Sequence, residues 1–273
     1  MEKKAIIVGA SSGIGQEVAK LLLADGWRLG VAARREEKLR ELQAQAPERV
    51  EIMAIDVTSD DADQRLLALI DRLGGIDLYF HASGIGFQNR ELDADIELRT
   101  AETNAKGFMR MVGAAYRYFA ASSRPSREGA NSSSGEQAER GATPRGGREG
   151  VIAAITSIAG TKGLGPAPAY SATKALQAAY LEALEQQACQ RGLPIHIVDI
   201  RPGFVDTALL RPSDPSKEAA FTYPMMMRPA DVARDIVRSI YKRRHVRIID
   251  WRYRLLTAAW RLVPRWLWRR IKL

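Results

Sequence analysis

Four apolar residues, Ala5-Ile6-Ile7-Val8, run without a spacer into Gly9-Ala10-Ser11-Ser12-Gly13-Ile14-Gly15, and an amphipathic stretch carrying Val18, Leu21, Leu22 and Leu23 follows. A buried strand, a glycine turn and a helix in immediate succession form the start of a βαβ unit. Glycines permit a tight turn and a close backbone approach, and the free N–H groups of a helix N-terminus suit a pyrophosphate. The G-x-x-x-G-x-G spacing gains its weight from the strand before it and the helix after it. The rest of the chain repeats the alternation. β-Branched runs near 4–8, 28–33, 50–55, 76–81, 151–156, 194–200 and 246–249 read as strands. Helical patterns near 14–24, 35–45, 60–72, 94–120, 168–191 and 229–242 separate them. Alternation of this kind predicts an α/β fold, a single doubly wound parallel sheet with helices on both faces.

Composition narrows the class further. With 273 residues, 46% hydrophobic and 27% charged, the chain has enough apolar surface for one large core. Cys189 is the single cysteine, which excludes an intrachain disulfide and any cysteine-cluster metal site. The apolar run after Met1-Glu2-Lys3-Lys4 is too short for a signal peptide, and no run reaches the length that spans a bilayer. We expect no metal and a cytoplasmic protein. The formal net charge is +9, yet residues 242–273 hold eleven Lys or Arg against Asp250 alone. The high charge therefore describes a tail and not the body.

Most connections are short, with one exception. Residues 122–150 contain six Ser, six Gly, five Arg and four Glu, with three alanines as the only apolar side chains. Such a stretch cannot bury enough surface to offset its ordering entropy, so it reads as a disordered loop insertion. The domain reading is thus 1–250 for a dinucleotide-binding catalytic domain, followed by a basic, Trp-rich extension over 251–273.

The second strand ends Val31-Ala32-Ala33-Arg34-Arg35, where a carboxylate would hold the ribose 2′-hydroxyl of NAD. Arginines there suit a 2′-phosphate, so NADP(H) is favoured over NAD(H). The fifth strand ends Ala154-Ile155-Thr156-Ser157, and Tyr170-Ser171-Ala172-Thr173-Lys174 follows. Tyr170 and Lys174, four apart in a helix, share a face, and an ammonium beside a phenol favours the phenolate. That pair can exchange a proton with a carbonyl or alcohol oxygen, which a serine hydroxyl can orient.

With the glycine loop, Ser157 and these spacings, the chain resembles the short-chain dehydrogenase/reductase superfamily over roughly residues 3–245. Asp56-Val57, Asn104 within Thr103-Asn104-Ala105, and Pro202-Gly203-Phe204-Val205-Asp206-Thr207 add to the resemblance. It implies Tyr170 as general acid/base, Lys174 as its modulator and a ribose contact, and Ser157 as support for the substrate oxygen. It implies that Asn104 holds a water in a proton relay behind Lys174. Gly9, Ser11, Ser12, Gly13, Ile14 and Gly15 would line the cofactor's phosphates and ribose, with Arg34 and Arg35 beside them. Asp56, Val57, Ser83 and Gly84 would shape the adenine side and the shelf. Pro202, Gly203, Val205 and Thr207 would flank the nicotinamide. The fourth strand departs from the family's usual Asn-Asn-Ala-Gly, reading His81-Ala82-Ser83-Gly84. His81, like His196 and His245, reads as structural.

The resemblance implies hydride transfer between a nicotinamide and a carbonyl or secondary alcohol, in a homo-oligomer packed through 94–120 and 168–191. Phe204, Leu209, Leu210, Phe221, Tyr223 and Met225-Met226-Met227 suit either an apolar small-molecule substrate or packing on the sheet. A ketoreductase of acyl-carrier-protein thioesters and a non-catalytic NADP(H) sensor are the rival readings. In the tail, Arg254 and Arg261 share one helical face, with Leu255, Leu256, Ala259, Trp260 and Val263 over the other. Peripheral contact with the membrane's cytoplasmic face, a lid over the cleft and a subunit contact all fit this pattern; nucleic-acid binding has no motif to support it.

Overall fold

A computed structural model describes residues 2–123, 149–208 and 225–271. Seven strands, β1 (Lys4–Val8), β2 (Arg28–Ala33), β3 (Val50–Ala54), β4 (Leu78–His81), β5 (Gly150–Ile155), β6 (Ile195–Arg201) and β7 (Val246–Ile248), form one sheet. Their order is β3-β2-β1-β4-β5-β6-β7, and every pairing is parallel. Consecutive strands run outward from β1 on one side and from β4 on the other. The strand order therefore reverses between β1 and β4, the place where open α/β sheets leave a crevice at their carboxyl edge.

The helices that cross between strands are α1 (Gly13–Ala24), α2 (Glu36–Gln43), α3 (Ala62–Leu73), α4 (Ala94–Ala101), α5 (Phe108–Ser122), α6 (Pro168–Gln190) and α7 (Pro229–Tyr241). Two more, α8 (Trp251–Leu262) and α9 (Arg265–Trp268), follow the last strand. The sequence pattern for 94–120 predicts one helix; the structure interrupts it with a π-helical turn at Glu102–Gly107. Such wide turns tend to mark functional positions, and this one carries Asn104.

Strand periodicity divides the core in two. In β1, Ala5 and Ile7 face a cluster with Leu22 of α1, Leu39 of α2 and Ile236 of α7. Ile6 and Val8 face the opposite cluster, with Leu66 of α3, Phe108 of α5 and Leu181 of α6. Alternate residues of a strand point to opposite faces, so a strand covered on both sides is apolar throughout, as β1 is. Tyr253 and Trp260 of α8 belong to the first cluster, which makes the extension part of the core. The insertion predicted at 122–150 lies, between 124 and 148, outside the described residues.

Candidate active site

The glycine loop occupies the reversal point. Gly9 leaves β1 with a left-handed φ of +91°, and a Cβ on it would stand 2.6 Å from the Ser83 nitrogen. A Cβ on Gly15 would lie 2.2 Å from the Gly9 carbonyl oxygen, so α1 abuts the end of β1 backbone to backbone. Gly13 also takes a positive φ, +58°, and faces the Thr207 methyl at 3.2 Å. Ser12 caps α1 in extended conformation without spending its hydroxyl on the cap. The first-turn N–H groups of Gly13, Ile14 and Gly15 have no intrahelical acceptor and carry the positive end of the helix dipole. A cradle shaped by missing side chains and floored by unpaired N–H groups fits a dinucleotide phosphate.

Of the two arginines after β2, Arg35 reaches the loop. Its Nη2 donates to Ser11 Oγ at 3.3 Å and toward Ser12 Oγ at 3.5 Å, while Arg34 is exposed at the strand end. Asp56 turns its carboxylate to its own backbone, accepting from Thr58 N and Thr58 Oγ1 at 3.0 and 2.8 Å. Val57 is buried, and the close approach of Gly107 leaves 2.9 Å between a Cβ there and the Val57 side chain. Ser83 backs Gly9, and Gly84 gives room to Asn104 Oδ1 and Lys174 Nζ, 3.3 and 3.6 Å from where its Cβ would be.

Ser157, Tyr170 and Lys174 converge from the end of β5 and the start of α6. Ser157 follows the end of β5 and caps a 3₁₀ turn, Ile158–Thr161, accepting from Ala159 N at 3.1 Å. Tyr170 sits in the first turn of α6, half-buried, its ring against Gly86, where a Cβ would come within 2.7 Å. Lys174 lies one turn on, buried, with Nζ 5.7 Å from the Tyr170 ring centroid. Burial pushes the Tyr170 phenol up, with a hydrogen bond from Ser157 acting in the other direction. Burial pulls the Lys174 ammonium down to about 8, against the attraction of Asp199. The pairing read from sequence expects the ammonium to lower the phenol; here desolvation of both groups dominates.

Gln177, absent from the sequence reading, completes the cluster. Lys174 Nζ donates to Gln177 Oε1 at 2.9 Å and to the Ile155 carbonyl at 3.1 Å. Gln177 Nε2 donates to the Asn104 carbonyl at 2.7 Å. The Asn104 side chain, fully buried, is engaged elsewhere: its Oδ1 accepts from Ile85 N and its Nδ2 donates to Ile85 O, at 2.9 and 2.7 Å. A side-chain amide thus bridges the Lys174 ammonium and the Asn104 carbonyl. The available signal was a polar residue three positions after Lys174, on the same face of a helix.

His81 is buried with Nδ1 2.8 Å from Tyr79 Oη and its ring edge-on to Phe108. Desolvation first, and then the charge of Lys174, lower its pKa to about 3, which keeps it neutral. His196 of β6 and His245, just before β7, meet edge-on with ring centroids 4.7 Å apart. Among the described residues no group of three or more His, Cys, Asp or Glu could hold a metal ion.

Of the residues offered to an apolar substrate or to packing, Phe204, Met225 and Met227 pack on the core, while Leu209, Leu210, Phe221 and Tyr223 lie outside the described residues. Val205 and Met227 form a parallel bridge, and Pro202 accepts from Ile158 N at 3.1 Å. Tyr253 seats its ring on Gly203, where a Cβ would be 2.2 Å away. Its hydroxyl accepts from Phe204 N at 3.1 Å and donates to the Met225 carbonyl at 3.0 Å. Farther along, Trp260 Nε1 donates to Thr161 Oγ1, Trp268 Nε1 to Gly163 O, and Lys162 Nζ to Val263 O, all at 2.8–2.9 Å. The extension is thereby fastened to the rim of the cleft beside Ser157. Trp260, read from sequence as sharing a face with Leu255, points into the core instead.

A family model described as short chain dehydrogenase matches residues 3–135 and 137–218. An "uncharacterized oxidoreductase" of Staphylococcus epidermidis is 27% identical over 216 residues, covering 78% of this chain and 82% of its own. Another of Staphylococcus aureus is 25% identical over 251 residues, covering 90% of this chain and 94% of its own. The fold is similar to that of an alcohol dehydrogenase from Thermococcus sibiricus complexed with 5-hydroxy-NADP, at TM-score 0.68 and 21% identity, over 91% of this chain and 96% of that one. It is similar also to an actinorhodin polyketide ketoreductase variant with NADPH, at TM-score 0.68 and 22% identity, over 88% and 90% of the two chains.

Proposed function

The chain belongs to the short-chain dehydrogenase family of oxidoreductases, and from that premise we propose that it interconverts a carbonyl and a secondary alcohol using NADP(H). The observation that carries this reading is the convergence of Ser157, Tyr170 and Lys174, with Lys174 Nζ against Gly84, the residue after the Ser83 that backs Gly9 of the glycine loop. When bound, the nicotinamide cofactor supplies or accepts the hydride. Gly13, Ile14 and Gly15 would hold its phosphates through their N–H groups, with Arg35, Ser11 and Ser12 at the adenosine 2′-phosphate. Arg35 beside two hydroxyls, with no carboxylate at the end of β2, supports NADP(H) over NAD(H).

The chain's own groups then handle the oxygen and its proton. Ser157 and Tyr170 place two hydroxyls at one side of the cleft, able to hold a carbonyl oxygen by two hydrogen bonds. A phenol kept protonated by burial is a donor to that oxygen in the reducing direction. Lys174, behind the phenol, stabilises the phenolate left after donation, and its charge is retained below its pKa of about 8. The segments on either side of Tyr170, Gly84–Phe87 and Gly160–Leu164, present Ile85, Phe87 and Leu164 and contain no acid, which supports an apolar substrate. We extend the proposal to a homo-oligomer packed through α4, α5 and α6.

Oxidation of NADPH and NADH, side by side, against ketones, aldehydes and acyl thioesters tests the reading. Turnover with NADPH is expected to fall at least about a hundredfold in Tyr170→Phe, with NADPH binding retained; that order of loss is what general acid catalysis contributes, about 10²–10⁴. Preference for a carrier-bound thioester would move the reading to a ketoreductase of acyl chains. NADPH binding with no turnover over the whole panel, in wild type and variant alike, would favour a sensor.

A further inference from the structure

The carboxyl-terminal helix α8 has two apolar faces, and only one of them is used. Tyr253, Thr257 and Trp260, spaced i, i+4, i+7, are buried against the body of the protein. On the opposite face, Trp251, Leu255, Ala258 and Leu262 fall at i, i+4, i+7 and i+11, a second continuous stripe. Trp251 is 67% exposed, Leu255 62% and Leu262 84%. Past Pro264, Trp266, Leu267 and Ile271 are also exposed. Large apolar side chains at this level of exposure, gathered in one place, are a binding feature and not a packing one.

Arginines border the stripe. Arg252 lies on one flank, Arg254 and Arg261 on the other, and Arg265, Arg269 and Arg270 follow, all exposed. No Asp or Glu occurs from Trp251 to Leu273. Asp250, the acid just before, is already held by Arg252 at 2.6 Å. Among the described residues no helix is long and apolar enough to cross a membrane, so the stripe lies along whatever it meets.

We propose that this outer face of α8 and α9 docks the protein on an anionic lipid surface. Tryptophan and leucine would enter the headgroup and acyl boundary, while the flanking guanidiniums pair with lipid phosphates. Charge decides among the occupants. A second copy of the same face would set arginines against arginines with no acid to pair them. A nucleic acid would meet the guanidiniums but leave the apolar centre of the stripe without a partner. An anionic bilayer satisfies both, the charge at its surface and the apolar groups just beneath. The inner face explains why the platform is rigid: Tyr253 and Trp260 pin α8 to the body, and Trp268 fastens α9. The proposal concerns surface chemistry alone and stands apart from the catalytic reading.

Vesicle flotation of the full chain tests it, with phosphatidylcholine vesicles and with vesicles containing phosphatidylglycerol. Partitioning onto the anionic vesicles is expected, weakening as salt rises. Trp251→Ser/Leu255→Ser/Leu262→Ser, three changes at exposed positions, is expected to reduce it at least about tenfold. Arg254→Gln/Arg261→Gln is expected to reduce it less and to weaken its salt dependence. Circular dichroism melting of both variants should match wild type, which separates loss of docking from loss of fold. Equal partitioning of wild type and the serine variant, or no partitioning of wild type, overturns the proposal. So does a wild-type dimer that the serine variant abolishes in sedimentation, or duplex DNA binding that competes with the vesicles and exceeds them in affinity.

Discussion

The glycine loop and the carboxyl-terminal extension both close on the carboxyl edge of the sheet, and both depend on glycine, in opposite ways. Gly9 and Gly15 omit side chains so that backbone can meet backbone, leaving N–H groups exposed for a ligand. Gly203 omits one so that a side chain can enter, and the Tyr253 ring fills the space. The first arrangement makes a cavity and the second removes one. The difference teaches that a glycine beside the cleft is not by itself a mark of ligand contact: the atom nearest its missing Cβ decides.

The sharpest test of the comparison is Gly15→Ala. Its Cβ would meet the Gly9 carbonyl, main chain that cannot swing aside, at 2.2 Å. Helix α1 must shift, and NADPH affinity should fall at least about 100-fold, or ~2.7 kcal/mol, measured by fluorescence titration. Gly13→Ala meets only the Thr207 methyl, at 3.2 Å, and carries mainly the left-handed backbone cost of ~1–2 kcal/mol. It should lose less. Equal losses in the two would show that backbone collision is not what shapes the cradle.

The other half of the comparison predicts a loss of a different kind. Tyr253 is fully buried, and large-to-small changes of buried aromatics cost roughly 3–5 kcal/mol. Tyr253→Ala should therefore lower the melting temperature and expose the tail to protease, while NADPH affinity falls far less than in Gly15→Ala, since the ring meets Gly203 and Phe204 and not the N–H groups of the glycine loop. Tyr253→Phe keeps the ring on Gly203 and removes the hydroxyl between Phe204 and Met225, at a cost of about 1 kcal/mol per hydrogen bond. A Tyr253→Ala variant that loses NADPH as completely as Gly15→Ala would merge the two regions into one.

These two regions were unequally legible in the sequence. The strand–loop–helix order at residues 5–23 is local, and periodicity over a few residues shows it directly. The same holds for the strands and helices, which the structure places within a few residues of where the pattern puts them. Tyr170 and Lys174 were legible because one helix turn joins them. What sequence periodicity could not show was the inward face of α8, because the groups that select it, Gly203 and Thr161, are 50 and 99 residues distant. A helix with apolar residues on two opposite faces gives no preference of its own. The π-helical turn at Glu102–Gly107 was hidden for a similar reason: it is held by contacts of Asn104 with Ile85 and Gln177, across loop and helix.

Gln177 lies behind Tyr170, between Lys174 and Asn104, and it offers the smallest effect. Its Oε1 accepts from the Lys174 ammonium and its Nε2 donates to the Asn104 carbonyl. An acceptor favours the charged form, so Gln177 opposes the burial that draws Lys174 down to about 8. Lys174 is charged below that value and neutral above it. If its charge supports the Tyr170 phenolate, kcat/KM should fall as pH rises through about 8. Gln177→Leu removes the acceptor, lowers the lysine's pKa further and should move this limb to lower pH, with KM little changed. Gln177→Glu places a carboxylate against the ammonium and should move it to higher pH. A purely structural role would lower kcat in both without moving the limb, because packing defects carry no sign. Opposite displacements in the two variants would establish that the side chain at position 177 tunes the charge behind Tyr170, beside burial and Asp199.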